Sequence, residues 1–271
     1  MSAIRELYPT SPAEAFNNVA PIFDETFENE ITRRLRQTVY ATVESLTPPG
    51  SSILDINCGT GIDALALARR GYNVLGIDIA PKMIELAQAK AHRQNFFAAK
   101  FLLGSFEHIT EKTNASYDLI LSNFGGLNCV RQLDTTAQQV ASVTKLGGYF
   151  VAIVMPPVCM WEIVAGMTRL DLHAAFRRLS KNARATGFRG KTFVVYYHPL
   201  RKLLSAFSRW FRPEKIIGLN IISPPPHATT FLQSNAKLSL WLERCEQVLA
   251  SLRGFRAIGD HYMVVLRRES S

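Results

Sequence analysis

From Ser52 onward, short apolar runs alternate with longer stretches of helical period. The runs at 52–57, 73–78, 99–103, 117–122 and 148–155 predict strands, and the stretches 61–70, 81–94 and 133–144 predict helices. Strand and helix alternating at this spacing predict an α/β fold with a doubly wound, mostly parallel sheet. Upstream, Phe16, Val19, Ala20, Phe23 and Phe27 form one apolar stripe at helical spacing, with Pro21 breaking or starting a helix there. A second helix is predicted from Asn29 to Ser45, ended by Thr47-Pro-Pro-Gly50.

The rhythm breaks after Met155-Pro-Pro157. Residues 159–185 predict one or two basic helices, Thr192 to His198 a strand outside the alternation, and Pro199 to Phe207 a helix. Lys215 to Ile222 predicts a strand ended by Pro224-Pro-Pro226, residues 235–252 a long helix, and His261 to Arg267 a closing strand. With the run at 192–198 left in the insertion, the sheet is expected to have seven strands. Four regions follow: an N-terminal helical segment (1–46), a core (47–156), an insertion (157–210) expected over the strand ends, and a C-terminal completion of the sheet (211–271).

Within the core, Ile53-Leu-Asp-Ile-Asn-Cys-Gly-Thr-Gly-Ile-Asp-Ala64 carries an apolar strand through a glycine turn into a helix. Gly59 and Gly61 permit positive φ and let a ligand lie against the backbone. The first turn of the following helix offers unpaired N–H groups to an anion. Asp78 ends the next strand, where a carboxylate can accept from both hydroxyls of a ribose. Gly59-Thr-Gly61-Ile-Asp-Ala64 also fits the dinucleotide pattern G-x-G-x-x-A, so a nicotinamide cofactor is weighed. Asp55 and Asp63 argue against it, since carboxylates beside the anion site repel a pyrophosphate. They are tolerable beside an ammonium and a sulfonium, the two cations of S-adenosylmethionine.

Asp55-Ile-Asn57-Cys58-Gly59-Thr60-Gly61 resembles the first motif of the class I S-adenosylmethionine-dependent methyltransferases, usually D-x-G-C-G-T-G. Asp78 matches that family's ribose-binding acid. Tyr117-Asp-Leu-Ile-Leu-Ser-Asn123 resembles its fourth strand, and Lys145-Leu-Gly-Gly148 before Tyr149-Phe-Val-Ala-Ile-Val154 its turn into the fifth. Asn57 stands where the family has a glycine, and asparagine enters the left-handed region more readily than most residues. The chain has Gly104-Ser105-Phe106-Glu107 where the family often has an Asp near the adenine.

The resemblance implies a Rossmann-like fold and S-adenosylmethionine as cofactor, leaving S-adenosylhomocysteine, with no metal. It implies a cofactor pocket of Asp55, Asn57, Cys58, Gly59, Thr60, Gly61, Asp78, Ile79, Met83, Ser105, Phe106, Asn123 and Phe124. It also implies that the N-terminal helices lie over the cofactor as a lid, with Phe23-Asp24 in the place of a frequent Tyr-Asp pair.

Composition bounds the acceptor more than the fold. The 271 residues, 47% hydrophobic and 20% charged, describe a globular chain. No apolar run is long enough to cross a bilayer, and Met1-Ser-Ala-Ile-Arg-Glu does not read as a signal peptide. Cys58, Cys129, Cys159 and Cys245 lie far apart without C-x-x-C spacing, which disfavours structural zinc and disulfides and points to a reducing cytoplasm. The net charge of +9 admits nucleic acid, anionic lipid or an anionic or carrier-bound acceptor. Much of it falls between Arg169 and Lys215, read either as a solvated helical face or as a docking surface.

Methyl transfer requires a positioned nucleophile and, for a phenol or alcohol, removal of its proton. His198, beside Tyr196-Tyr197 and before Pro199, is the first candidate for that base; its alternative is a histidine bonded to a loop carbonyl. His227 and His261 are weaker candidates. Cys129 and Cys159 lack the Pro-Cys setting of thiol nucleophiles and read as buried thiols. Trp161, Trp210, Tyr196 and Tyr197 line a substrate chamber or simply pack. Ser122-Asn-Phe-Gly-Gly126 replaces the N-P-P-Y of enzymes acting on exocyclic base amines, which disfavours nucleic acid. The leading expectation is transfer to an O, N or C atom of a small, partly apolar molecule. An RNA or protein methyltransferase using the basic region, and a non-catalytic cofactor-binding scaffold, are the alternatives.

Overall fold

The computed structural model describes residues 10–180, 184–188, 191–223, 242, 244–246 and 248–270, with only the backbone given at 184–188. The triple proline and His227 fall outside the described residues, as does half of the expected helix at 235–252.

The N-terminal segment forms α1 (Pro12–Val19), α2 (Phe23–Phe27) and α3 (Glu30–Leu46), with Pro21 inside a 3-10 turn between the first two. Ser11 caps α1 and Asn29 caps α3, the asparagine accepting from Thr32 N at 3.0 Å. Ile31, Leu35, Val39 and Val43, one per turn, face the sheet. The core follows as β1 (Ser52–Asp55), α4 (Ile62–Ala68), β2 (Asn73–Asp78), α5 (Pro81–Arg93), β3 (Ala99–Leu103), β4 (Tyr117–Ser122), α6 (Asp134–Val143) and β5 (Thr144–Val154). Beyond it lie α7 (Met160–Thr168), α8 (Leu172–Phe176), β6 (Arg184–Phe188), β7 (Lys191–Val194), α9 (Leu200–Phe207), β8 (Phe211–Leu219) and β9 (His261–Arg268).

Seven strands form one sheet in the order β3-β2-β1-β4-β5-β9-β8, with β9 antiparallel to both neighbours and the rest parallel. Two apolar layers enclose it. Ile53, Leu119, Val151 and Met263 face α3, α4 and α5, while Leu54, Ile120, Phe150 and Val264 face α6 and α9. Each such fully buried side chain contributes roughly 1.5–3 kcal/mol through removal from water. Strand order reverses between β1 and β4, the switch point at which open α/β sheets bind ligands. No helix among the described residues is long and apolar enough to cross a membrane.

Three expectations are corrected. Residues 184–188 are a strand, not the end of a basic helix, pairing with β7 as a separate hairpin. The strand expected at 192–198 stops at Val194 because the following residues turn to hydrogen-bond the loop after β4 instead: Tyr196 N donates to Asn128 O at 2.8 Å. β8 begins at Phe211, four positions before Lys215, and takes Pro213 in at a register shift, which an edge strand tolerates.

Candidate functional site

The glycine turn is built by two requirements at once. Gly61 has φ +81° and caps α4; a Cβ there would stand 2.9 Å from both Ala87 Cβ and Phe101 Cζ. Gly59, at φ +53°, leaves the backbone bare except for Phe23 of α2, 4.0 Å from where its Cβ would be. Gly59 N donates to Asp78 Oδ2 at 2.8 Å, and Ala80 N donates to Asp78 Oδ1 at 2.9 Å. Burial pushes the Asp78 carboxyl upward, and these backbone donors pull against the shift. The second strand thus holds the loop of the first through a carboxylate that still has free lone pairs.

A cavity of about 240 Å³ lies along these strand ends. Asn57, Cys58, Gly59 and Thr60 border it from the first turn, and Asp78, Ile79 and Met83 from the second. Ser105, Phe106 and Glu107 follow β3; Asn123 to Gly126, with Cys129 and Val130, follow β4. Pro12, Phe16, Phe23 and Arg36 close it from the N-terminal helices. The covering is fastened by charge: Thr60 Oγ1 donates to Asp24 Oδ1 at 2.5 Å, and Lys90 pairs with the other oxygen of Asp24.

Two residues expected in the pocket sit beneath it. Gly61 lies under the helix start. Asp55 is fully buried, receiving only Asn57 N at 3.4 Å on Oδ1 and no hydrogen bond on Oδ2. Burial and the neighbouring Asp63 push its carboxyl well above the usual range.

Asn57 is not left-handed, contrary to the reason given for its tolerance. Its side chain is held instead: Nδ2 donates to Asn123 O at 2.6 Å and Ser122 Oγ donates to Oδ1 at 2.7 Å. Gly126 makes the room, since a Cβ there would fall 2.3 Å from Asn57 Cγ.

The electrostatic case against a dinucleotide also changes. Arg36 pairs with Asp63, which further accepts from Tyr40 OH at 2.7 Å and Asn123 Nδ2 at 3.0 Å. Asp63 is therefore paired with a cation, which weakens the argument from its charge against a pyrophosphate. Arg36, which sequence reasoning did not single out, also binds Glu28 at 2.7 Å and stacks 4.7 Å above Phe124, itself strained at φ +44°. No local pattern separates it from Arg33 and Arg34 on the same helix.

The insertion does not supply the expected chamber. Trp161, Tyr196, Tyr197 and His198 do not line the cavity. His198 is buried, its Nε2 held between Leu127 O at 3.1 Å and Val130 O at 2.9 Å, and burial lowers its basicity. Tyr197 accepts from Arg177 at 3.1 Å. What the insertion gives the site is backing: Phe193 and Val195 pack with α1 and Met83 behind the roof, Phe193 5.5 Å from the Phe16 ring. Cys129 and Cys159 are pushed up by burial to about 12 and about 11, so neither is a thiolate at neutral pH. Cys159, Glu162 and Asp260 bring donor atoms within 4.8 Å of one another, but Arg178 already bridges the two carboxylates at 2.7 and 2.5 Å.

Residues 48–185 match the family model described as "Methyltransferase domain". Together with the strand order and the glycine turn, this shows that the chain belongs to the class I S-adenosylmethionine-dependent methyltransferases. It is an enzyme of that family. A ubiquinone biosynthesis O-methyltransferase of Paracidovorax citrulli is 32% identical over 181 residues, covering 59% of this chain and 73% of that one. A demethylmenaquinone methyltransferase of Tropheryma whipplei is 30% identical over 176 residues, 61% of this chain and 67% of the relative. Among solved structures, the 4+2 cyclase SpnF superposes with a TM-score of 0.63 at 15% identity, over 96% of both chains. At that identity the likeness shows the fold alone.

Proposed function

We propose that the cavity at the ends of β1, β2 and β4 binds S-adenosylmethionine, and that the enzyme transfers its methyl group to an O, N or C atom of a small, partly apolar acceptor. The observation that carries the reading is the glycine turn latched to Asp78 and roofed by α1 and α2. Asp78 would take the ribose hydroxyls on its free lone pairs. Asp55 Oδ2, buried and without a partner, suits an ammonium beneath the loop. Arg36 keeps donors beyond those it gives Asp63 and Glu28, which suits a carboxylate. Ser105 and Phe106 border the side left for the adenine.

When bound, the cofactor supplies an activated methyl group on a sulfonium, so the reaction needs no metal and no acid for the leaving group. The residues of this chain orient the acceptor and exclude water: Phe16, Phe23 and Phe124 border the cavity with apolar surface. His198 is not assigned a role in proton removal. The relatives named for ubiquinone biosynthesis and for demethylmenaquinone support a lipophilic aromatic acceptor here, with anionic or carrier-bound molecules also admitted by the basic charge. The four free cysteines support a cytoplasmic setting. Calorimetric titration tests the cofactor: S-adenosylmethionine and S-adenosylhomocysteine should bind and NAD should not. Preferential NAD binding would refute the reading.

A further inference from the structure

The two helices that roof the cavity are held by different means. α1 buries Ala15 and Val19 and is tied to the start of β7: Thr10 N donates to Thr192 O at 2.7 Å, and Lys191 pairs with Glu14 at 2.6 Å. No residue of α2 is buried. Phe23 and Phe27 pack against the apolar cluster behind the roof but stay partly exposed. Segments with so little buried apolar contact are the ones that open locally. The chain also bends on both sides of α2. The 3-10 turn carrying Pro21 precedes it, and Glu28, in extended conformation, follows.

Carboxylates do the fastening that packing does not. Asp24 accepts from Thr60 Oγ1 on Oδ1 at 2.5 Å and pairs with Lys90 of α5 through Oδ2. Thr60 is buried between the two glycines of the turn. Glu28, just past α2, binds Arg36 of α3 at 2.7 Å. Phe23, the residue before Asp24, borders the cavity and stands over Gly59. The side chain that covers the turn is thus adjacent to the one that fastens the cover. With its side chain 41% exposed, Asp24 makes an ion pair that water can compete for, so the contact holds and still breaks readily.

We propose, resting on the reading of the cavity as the cofactor site, that Asp24 is a positioning residue: it latches α2 over the glycine turn and sets how fast the cofactor enters and leaves. A nucleoside passing over Gly59 requires Phe23, and α2 with it, to lift, and lifting breaks the contacts of Asp24 with Thr60 and Lys90. Neither Asp24 nor Lys90 lines the cavity, so the latch acts on free and loaded enzyme alike. Releasing it therefore speeds entry and exit together and moves the equilibrium affinity much less. Loss of a group that touches the cofactor does the reverse, lowering affinity.

The probe is S-adenosylhomocysteine, whose association with the full chain and dissociation from it are followed by surface plasmon resonance. Asp24→Ala should raise both rates by about tenfold, the effect of losing one hydrogen bond to a charged group, while the dissociation constant changes by less than about threefold. Asp24→Asn keeps an acceptor for Thr60 and gives up the charge facing Lys90; it and Lys90→Met should each raise the rates by less. In the cofactor-free chain, amide hydrogen exchange at residues 23–28 should quicken in Asp24→Ala, with β1 and α4 exchanging as in the wild type. Unchanged rates in Asp24→Ala would overturn the latch alone. So would a faster dissociation at constant association rate, since Asp24 would then be a direct contact of the cofactor. A wild type that binds no S-adenosylhomocysteine would overturn the reading of the cavity and the latch with it.

Discussion

The glycine turn and the inserted hairpin of α7 and α8 both handle buried carboxylates, and they handle them oppositely. At the turn, Asp55 is buried without a counter-ion and Asp78 is held only by backbone N–H groups, so burial raises both. At the inserted hairpin, Glu162 and, just before β9, Asp260 are buried against Arg178; Arg178 and Arg177 hold Glu162 below the ordinary carboxylate range, and His261 together with Arg178 holds Asp260 below it. One region keeps carboxyls without a cation, Asp78 at the cavity and Asp55 beneath it; the other has spent its polarity on holding itself in place. A binding site and a structural clamp differ here less in composition than in whether the charge already has its partner.

The contrast is most easily broken at Arg178. Arg178→Ala leaves Glu162 with Arg177 and Asp260 with His261, and should still cost about 3 kcal/mol or more of folding stability, the penalty of stranding buried charge. Chemical denaturation measures it. The pH dependence follows from the sign of the shifts. Carboxyls lowered in the folded state add stability above their unfolded pKa, near 4, and lose it as pH falls toward the folded value. The wild type should therefore lose stability on acidification below about pH 4, and Arg178→Ala should show a shallower loss.

Asp55 should behave in the opposite sense. A carboxyl raised in the folded state adds stability below its unfolded pKa and loses it as pH rises through the folded one. Asp55→Asn removes that buried charge, so the variant should be more stable at neutral pH by about 1–2 kcal/mol. It should also bind S-adenosylmethionine more weakly. A variant that gains no stability and keeps full affinity would show that Asp55 is an inert core group.

His198→Gln is the smallest expected effect. Glutamine can still donate to one of the two carbonyls, so roughly 1 kcal/mol of stability should be lost. Methyl transfer, followed with whichever acceptor is turned over, should change less than about threefold. A loss of turnover with unchanged stability would restore the histidine as a base.

These differences also mark what the sequence could reveal. The turn was legible because its chemistry is local: Ile53 to Ala64 encodes strand, loop and helix in one stretch, and Asp78 follows at the end of the next strand. The strand count was legible for the same reason. Arg36 was not, because its role depends on Asp63 and Phe124, far along the chain and brought near by the packing of α3. The reason given for Asn57 failed because the residue is secured by Ser122, Asn123 and the missing side chain of Gly126, none of them a neighbour in sequence. In the insertion, polar residues such as His198 and Tyr197 looked like chemistry, yet their partners are loop carbonyls and arginines fixed only by the tertiary fold.

The central claim is that the Asp78-latched turn is the cofactor site, and titration calorimetry of wild type and Asp78→Ala with S-adenosylmethionine tests it most directly. The account predicts binding by the wild type and a loss of roughly 1.5–3 kcal/mol in the variant, the cost of hydrogen bonds to a charged acceptor, with the fold intact by circular dichroism. Unchanged affinity in a variant whose thermal stability has collapsed would make Asp78 a structural clamp of the loop and place the cofactor elsewhere.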